Sequence, residues 1–563
     1  MSIQLGPILH AAVSDRDTWR FTLLLALADI DDPATQITIE AELDAAAAPA
    51  DPAPAVGAPH RVADFRDAVG WTVWTWPVEA PRAATEQTLT YRIQGVDDEP
   101  LVVDRVAVPA LGHLPRLALV SCNGFSDSKR GRDVDEPYEM WRRMDTRHRR
   151  GLAGGHPDDP SGFHLLVGSG DQIYADQIDV LQELDKKSIS EAQSLRSVSA
   201  WERKALPQYL RLYREIWSEE PVSAMLARIP ALFTWDDHDI LDGWGSHRDG
   251  IQTSLGYLGA YAAARKAFLA LQLAADPTEV TPPRHVVRAR TETEAASSHL
   301  LQALSFRTDD RWLDLVALDL RSERSRDKVL SPAQWRELKA WLERYVDDCA
   351  QADQSVDLPS PDDTAEDDSV QEVARHLVIV SSIPVVYLRF RGATHPLGSL
   401  VLGQLGFEDD ILDHWEHSRH QGERERLLMT LFDVQARSRA RVTMLSGDVH
   451  LAGRGRVTST RREHQRRAVN QEARIEQIIS SGIVHPPPTV LERSAISLAG
   501  DPGPHELIAG IESRLLDFDA EYQLLPQRNF AALSVDGPDG PGRLWVEWVT
   551  EDGATRRQTV IDP

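Results

Sequence analysis

Thiol chemistry has little to draw on in this 563-residue chain. Cys122 and Cys349 are its only cysteines, they lie far apart, and no disulfide framework is implied. Long apolar runs are missing too, so no stretch reads as a helix spanning a bilayer. The opening residues MSIQLGPILHAAVSD carry no basic n-region, no extended apolar core and no twin arginine. The expectation is a cytoplasmic protein, or an exported one if a leader precedes these residues. Positive charge is scarce: 61 Lys and Arg stand against 87 Asp and Glu, for a net charge of −26. That excludes nucleic acid as the main partner, because a phosphate backbone needs a basic footprint. The basic runs Arg147-His148-Arg149-Arg150 and Arg461 to Arg467 read as solvated faces.

Apolar residues make up 42% of the chain, enough for a sizeable core. The length suits two to four domains, or one large domain with additions. The first hundred residues read as β, with short runs at Trp19–Leu25, Ile37–Leu43, Trp71–Trp76 and Leu89–Ile93 separated by turn residues. They predict a small N-terminal β-sandwich domain over residues 1–112, with its tryptophans in the core. After Pro109, apolar strand candidates alternate with helical stretches, the pattern of an α/β domain over residues 113–563. The strands are expected at Leu117–Val120, His164–Gly168, Ala231–Thr234, Leu313–Leu318, Leu377–Val380, Val442–Leu445 and Ile475–Ile479. Helices are expected at Leu206–Trp217, Leu258–Leu271, Pro332–Val346 and Glu423–Ala436. Residues 276–298 and 350–370 read as loops, and Phe530–Val549 as a hairpin finishing a sheet edge.

Six of the strand candidates end in polar clusters: SCN, GSGDQIYAD, WDDHD, LDLRSER, SSIP and SGDVH. Six such endings on one chain predict a common rim, where α/β proteins bind ligands. The central stretch is Trp235-Asp236-Asp237-His238-Asp239. Its adjacent acids repel unless a positive charge lies between them, and a metal ion supplies one. Asp171, after a glycine at a strand end, could bridge two ions with Tyr174 reaching the same ion, or could cap a helix. Asp448 and His450 alternate onto one face and suit metal ligands, or a strand end with a satisfied histidine. Cys122 reads as a thiolate ligand or as a small buried hydrophobe. Asp319 and Arg321 read as a structural ion pair or an anion clamp. The charged run Asp413 to His420 could offer His414 and His417 to a metal from one helix face, but its many charges read as an exposed helix.

In this order, SCN, GDQIYAD, TWDDHDILDGWGS, LDLRSER and SGDVH resemble the PhoD-like alkaline phosphatases, a branch of the calcineurin-like metallophosphoesterases, over roughly Leu114 to Pro488. The resemblance implies a two-sheet α/β sandwich flanked by helices and preceded by a β domain, with a multinuclear metal site at the strand ends. By motif, Cys122, Asp171, Tyr174 and Asp448 would surround a ferric ion, and Asp171 would bridge to a second ion held by Asp237 and His450. Calcium is implied for the rest of the site, with manganese, magnesium or zinc as alternatives. Where the family usually continues its third motif with asparagines, this chain reads Asp242-Gly243-Trp244-Gly245.

The reading is metal-assisted hydrolysis of a small-molecule or lipid phosphate ester, with hydroxide attacking phosphorus. His238 is expected to protonate the leaving oxygen or to hydrogen-bond the transition state, and Arg321 to orient a phosphoryl oxygen. Asp236 and Asp319 are expected behind the ligands. The alternatives are phosphodiesterase or phospholipase D-type action on diesters, and a non-catalytic binding protein that uses the N-terminal β domain.

Overall fold

The computed structural model describes residues 2–44, 53–95, 100–126, 134–152, 162–185, 196–278, 298–355, 373–390, 413–465, 473–519, 522–553 and 557–563. Two large sheets face each other. The first has eleven strands, centred on the parallel trio Leu117–Val120, Leu165–Ser169 and Ala231–Thr234. All three are buried along their whole length, which is why they read as unbroken apolar runs rather than alternating ones. The second sheet has eight strands around the parallel set Arg311–Ala317, Ala374–Val380, Arg441–Ser446 and Ala473–Ile479.

Period-two alternation sorts the side chains between layers. Leu119, Val167 and Leu232 of the first sheet meet Leu313, Leu315, Val378, Val380 and Ile478 of the second in one buried interior. The intervening residues Val120, Leu166 and Phe233 turn outward onto the helices Val198–Trp217 and Leu255–Gln272. On the far side, Leu377, Ile379, Val442 and Met444 pack against Pro332–Ser355 and Gln421–Ser438. The result is an α/β two-sheet sandwich flanked by helices. Each fully buried Leu, Val or Phe in it contributes roughly 1.5–3 kcal/mol. The helix expected from Leu206 begins eight residues earlier, at Val198, where the Ser197 hydroxyl accepts from the Ala200 amide. Pro207 is accommodated inside it.

The strand Ser2–Ala11 was not expected from the sequence, since Gly6-Pro7 interrupts its pattern. It pairs with Thr18–Ala28 and, at His10 opposite Ala231, with the central trio. The N-terminal strands therefore continue the first sheet across the boundary expected near residue 112. Thr38–Leu43, Gln87–Gln94 and Pro100–Val108 form a separate three-stranded sheet. Its Leu89, Ile93 and Val106 share the buried cluster of Leu9 and Leu23, so one layer of the expected sandwich is an extension of the central sheet. The C-terminal hairpin Asn529–Val535/Leu544–Thr550 joins that sheet beside Leu117–Val120, but the edge is Arg557–Ile561. Most of the two expected loops, residues 279–297 and 356–370, falls outside the described residues, while residues 350–355, expected in the second loop, continue the helix Pro332–Ser355. No helix among the described residues is long and apolar enough to cross a membrane.

Candidate metal centre

The parallel strands of both sheets end at one rim, as the polar endings predict. Cys122 N donates to Gly170 O (3.4 Å), Asn123 N to Asp171 O (2.8 Å) and Gly447 N to Ser382 O (3.0 Å). The packing leaves no room for side chains at two points. A Cβ on Gly170 would lie 2.7 Å from Asp236 Cβ, and one on Gly447 only 2.2 Å from Ser121 Cβ. Backbone strain gathers at the same rim. Seven described non-glycine residues have positive φ, and four of them are Cys122 (52°), Asp171 (55°), Asp448 (70°) and His450 (52°). Such conformations cost about 1–3 kcal/mol each and persist where surrounding structure enforces them, commonly at functional sites.

The acids converge. One carboxylate oxygen from each of Asp171, Asp236, Asp237 and Asp448 lies within 4.8 Å of the others, and Asp171, Asp237 and His238 form a second, overlapping group. Asp171 and Asp236 are each 1% exposed. Burial first, and then the neighbouring acids against His238, drive the Asp171 carboxyl well above its usual range. Burial with Asp236, Asp237 and Asp171 does the same to Asp448. Arg321 supplies one cation: Nε pairs with Asp236 and Nη2 with Asp237 (3.2 Å). That guanidinium, shared with Asp413, and the His238 ring do not balance four carboxylates. Asp171 Oδ1 and Asp236 Oδ2 are buried without a hydrogen-bond partner, although such atoms are nearly always satisfied. The donor set fits a cation site.

The thiol and phenol reach the same place. Cys122 Sγ lies 3.6 Å and Tyr174 Oη 3.4 Å from Asp171 Oδ2. Burial, followed by Asp171, raises the Cys122 thiol well above its normal range, and burial with Cys122 and Asp171 raises the Tyr174 phenol. A bound cation would reverse both effects. Asp171 caps no helix.

His238 Nδ1 is 2.8 Å from Asp176 Oδ2, and its ring stacks on Tyr174 with centroids 4.3 Å apart. Burial works against the charged ring, but Asp176, Asp237 and Asp171 together hold its pKa well above the ordinary value. Asp319 accepts from Trp235 Nε1 (2.9 Å), Leu300 N (2.6 Å) and Arg321 N (3.1 Å), so it fixes loops. The guanidinium of Arg321 goes instead to Asp236, Asp237 and Asp413 Oδ2 (2.6 Å), and also to Trp244 O (2.9 Å). That leaves it poorly placed for the substrate contact expected of it. His450 lies outside both groups of close ligand atoms and stacks on His485 at 3.7 Å.

The expected exposed helix at Asp413 to His420 is corrected. Asp413 is 4%, His414 6% and Trp415 0% exposed. Arg321 and Arg324 outweigh burial and hold the Asp413 carboxyl down to about 2. His414 Nε2 stands 4.0 Å from Asp448 Oδ2. Trp415, a large apolar residue in a charged run, was the available signal. Asp239 was also missed. Its carboxylate accepts from the amides of Asp171 (2.9 Å), Gln172 (3.1 Å) and Asp236 (2.9 Å), locking two strand ends together. His485, stacked between His450 and Tyr174, ends SSGIVH, a seventh polar strand ending.

A two-sheet α/β sandwich whose strand ends gather buried carboxylates, a thiol and a phenol defines an α/β scaffold with a candidate cation site at its rim. The chain belongs to the PhoD-like phosphatase family, whose sequence pattern matches residues 117–488. It is 24% identical over 481 residues to the uncharacterized protein YGR266W of Saccharomyces cerevisiae, covering 74% of this chain and 62% of that protein's length. Among solved structures it is similar to PhoD, at 13% identity and a TM-score of 0.48, covering 99% of this chain and 88% of the other. It is also similar to a purple acid phosphatase from yellow lupin (Lupinus luteus) seeds, at 9% identity and a TM-score of 0.46, covering 99% and 74%.

Proposed function

We propose that the chain is a metal-dependent hydrolase of phosphate esters. The observation that carries this reading is the set of four acids, Asp171, Asp236, Asp237 and Asp448, each with an oxygen within 4.8 Å of the others, two of which, Asp171 and Asp236, also carry a buried oxygen without a partner. Cys122, Asp171, Tyr174 and Asp448 would hold iron, which thiolate and phenolate ligands favour. Asp171 would bridge to a second ion, calcium or another oxygen-loving cation, with Asp237 and His450. Cations held there would lower the pKa of an attacking water, generating hydroxide, and neutralise the phosphoryl oxygens.

The chain's own groups do the rest. Asp176 on Nδ1 fixes the His238 tautomer and keeps a proton on the ring, available to the leaving oxygen. Arg321 aims Asp236 and Asp237 rather than touching substrate. Asp239 and Asp319 hold the strand ends that carry these groups. The test combines elemental analysis, the visible spectrum and paired assays on a chromogenic phosphate monoester and diester. Bound iron, a colour shifted in Cys122→Ser and lost when Tyr174→Phe is added, and turnover abolished by Asp448→Ala are expected. A metal-replete protein that cleaves neither ester would overturn the reading.

A further inference from the structure

Arg324 is a buried cation with donors left over. Its side chain is 0% exposed. Nη2 donates to the backbone carbonyl of Asp413, and Nε approaches Asp413 Oδ1 at 3.4 Å. Nε and Nη1 make no hydrogen bond among the described residues. Buried donors are almost always satisfied, so unused ones beside a candidate site point to a missing ligand. Arg321, three residues earlier, has no such reserve, since Nε, Nη1 and Nη2 are each committed to a carboxylate.

Arg324 is also in the right place. Its stem lies against Gly245, where a Cβ would be 2.6 Å from Arg324 Cδ. Asp413, its anchor, pairs with Arg321 through Oδ2. The next residue, His414, reaches within 4.0 Å of Asp448. With the Nε and Nη2 edge turned to Asp413, Nη1 is the donor left at this rim, a charge-assisted hydrogen-bond donor of the kind that binds phosphoryl oxygens. Resting on the hydrolase reading above, we propose that Arg324, not Arg321, binds the non-bridging oxygens of the substrate phosphoryl group.

The test is calorimetric binding of inorganic phosphate to the metal-loaded full chain, with metal content measured in parallel. Arg324→Gln is expected to weaken phosphate binding about ten- to a hundredfold, the usual cost of losing a charge-assisted hydrogen bond, with metal content unchanged. Arg324→Lys should recover only part of it, because one ammonium cannot hold the Asp413 carbonyl and an anion in the fixed plane of a guanidinium. Should Arg324→Gln fail to fold, Arg324→Lys decides: phosphate affinity equal to wild type overturns the proposal. Unchanged affinity in folded Arg324→Gln, or a loss that only tracks lost metal, overturns it too. Phosphate binding needs no turnover. Arg324-dependent binding without ester hydrolysis would therefore sink the hydrolase reading and keep the anion site, and hydrolysis with Arg324-independent binding would do the converse.

Discussion

Replacing Asp171 with Asn should invert the usual sign of an active-site mutation on stability. In the cation-free protein, Asp171 is a buried carboxylate with three others within 4.8 Å. At an effective dielectric near 20, each like-charged pair at that distance costs about 3 kcal/mol. Proton uptake relieves part of this, as the raised Asp171 pKa records. A neutral isostere should therefore stabilise the cation-free protein by about 1–3 kcal/mol. Asn also tolerates the left-handed backbone at φ 55°, so no new strain enters. With metal the sign reverses. A ligand at a hundredfold its Kd adds about 2.7 kcal/mol to the wild type, and the variant loses the bridging oxygen that would capture it. Unfolding entropy of roughly 2.1 cal/mol/K per residue makes 1 kcal/mol worth about 1 °C in a 563-residue chain. Calorimetric Tm with chelator should thus be about 1–3 °C higher for Asp171→Asn than for wild type. The rise of about 2–3 °C on adding metal to wild type should nearly vanish. A variant that melts lower than wild type in chelator and keeps the full metal-induced shift would refute the reasoning.

Asp413→Asn should cost about 3–5 kcal/mol in denaturant unfolding, since Arg321 and Arg324 both pair with that buried carboxylate. A change below 1 kcal/mol would contradict the pairing. Gly447→Ala should lose about 1–3 kcal/mol, and Ser121→Gly in the same chain should restore much of it, because Ser121 Cβ lies 2.2 Å from the added methyl position. Absence of rescue in the double variant counts against that contact. Acid should destabilise the fold through histidines remote from the metal centre. Burial lowers His148 to about 3 and His164 and His376 to about 4. The unfolded chain binds protons there below its ordinary value of 6.5 while the folded chain does not. Their contribution is therefore complete above that value and is lost as pH falls towards the folded ones. Each accounts for up to about 2 kcal/mol between pH 6.5 and 5. Unfolding midpoints in chelator at pH 7 and 5 check this, and His164→Gln should flatten the slope.

Local sequence determined the strands of the two parallel cores, because unbroken apolar runs such as Leu117–Val120 and Ala231–Thr234 admit few other fates once a polar cluster follows them. It also determined that polar endings would share a rim, since parallel strands all present their carboxyl ends on one side. The tertiary structure decided what spacing could not carry. Ser2–Ala11 became a strand through pairing across the sheet, despite Gly6-Pro7. Asp413 became a buried partner of Arg321, 92 residues away in sequence. Arg321 was spent on carboxylates, while Arg324 kept free donors. Hydrophobic patterning is a property of neighbours along the chain. Which acid meets which guanidinium is settled only when distant loops pack together and the loss of water makes each charge find its nearest opposite.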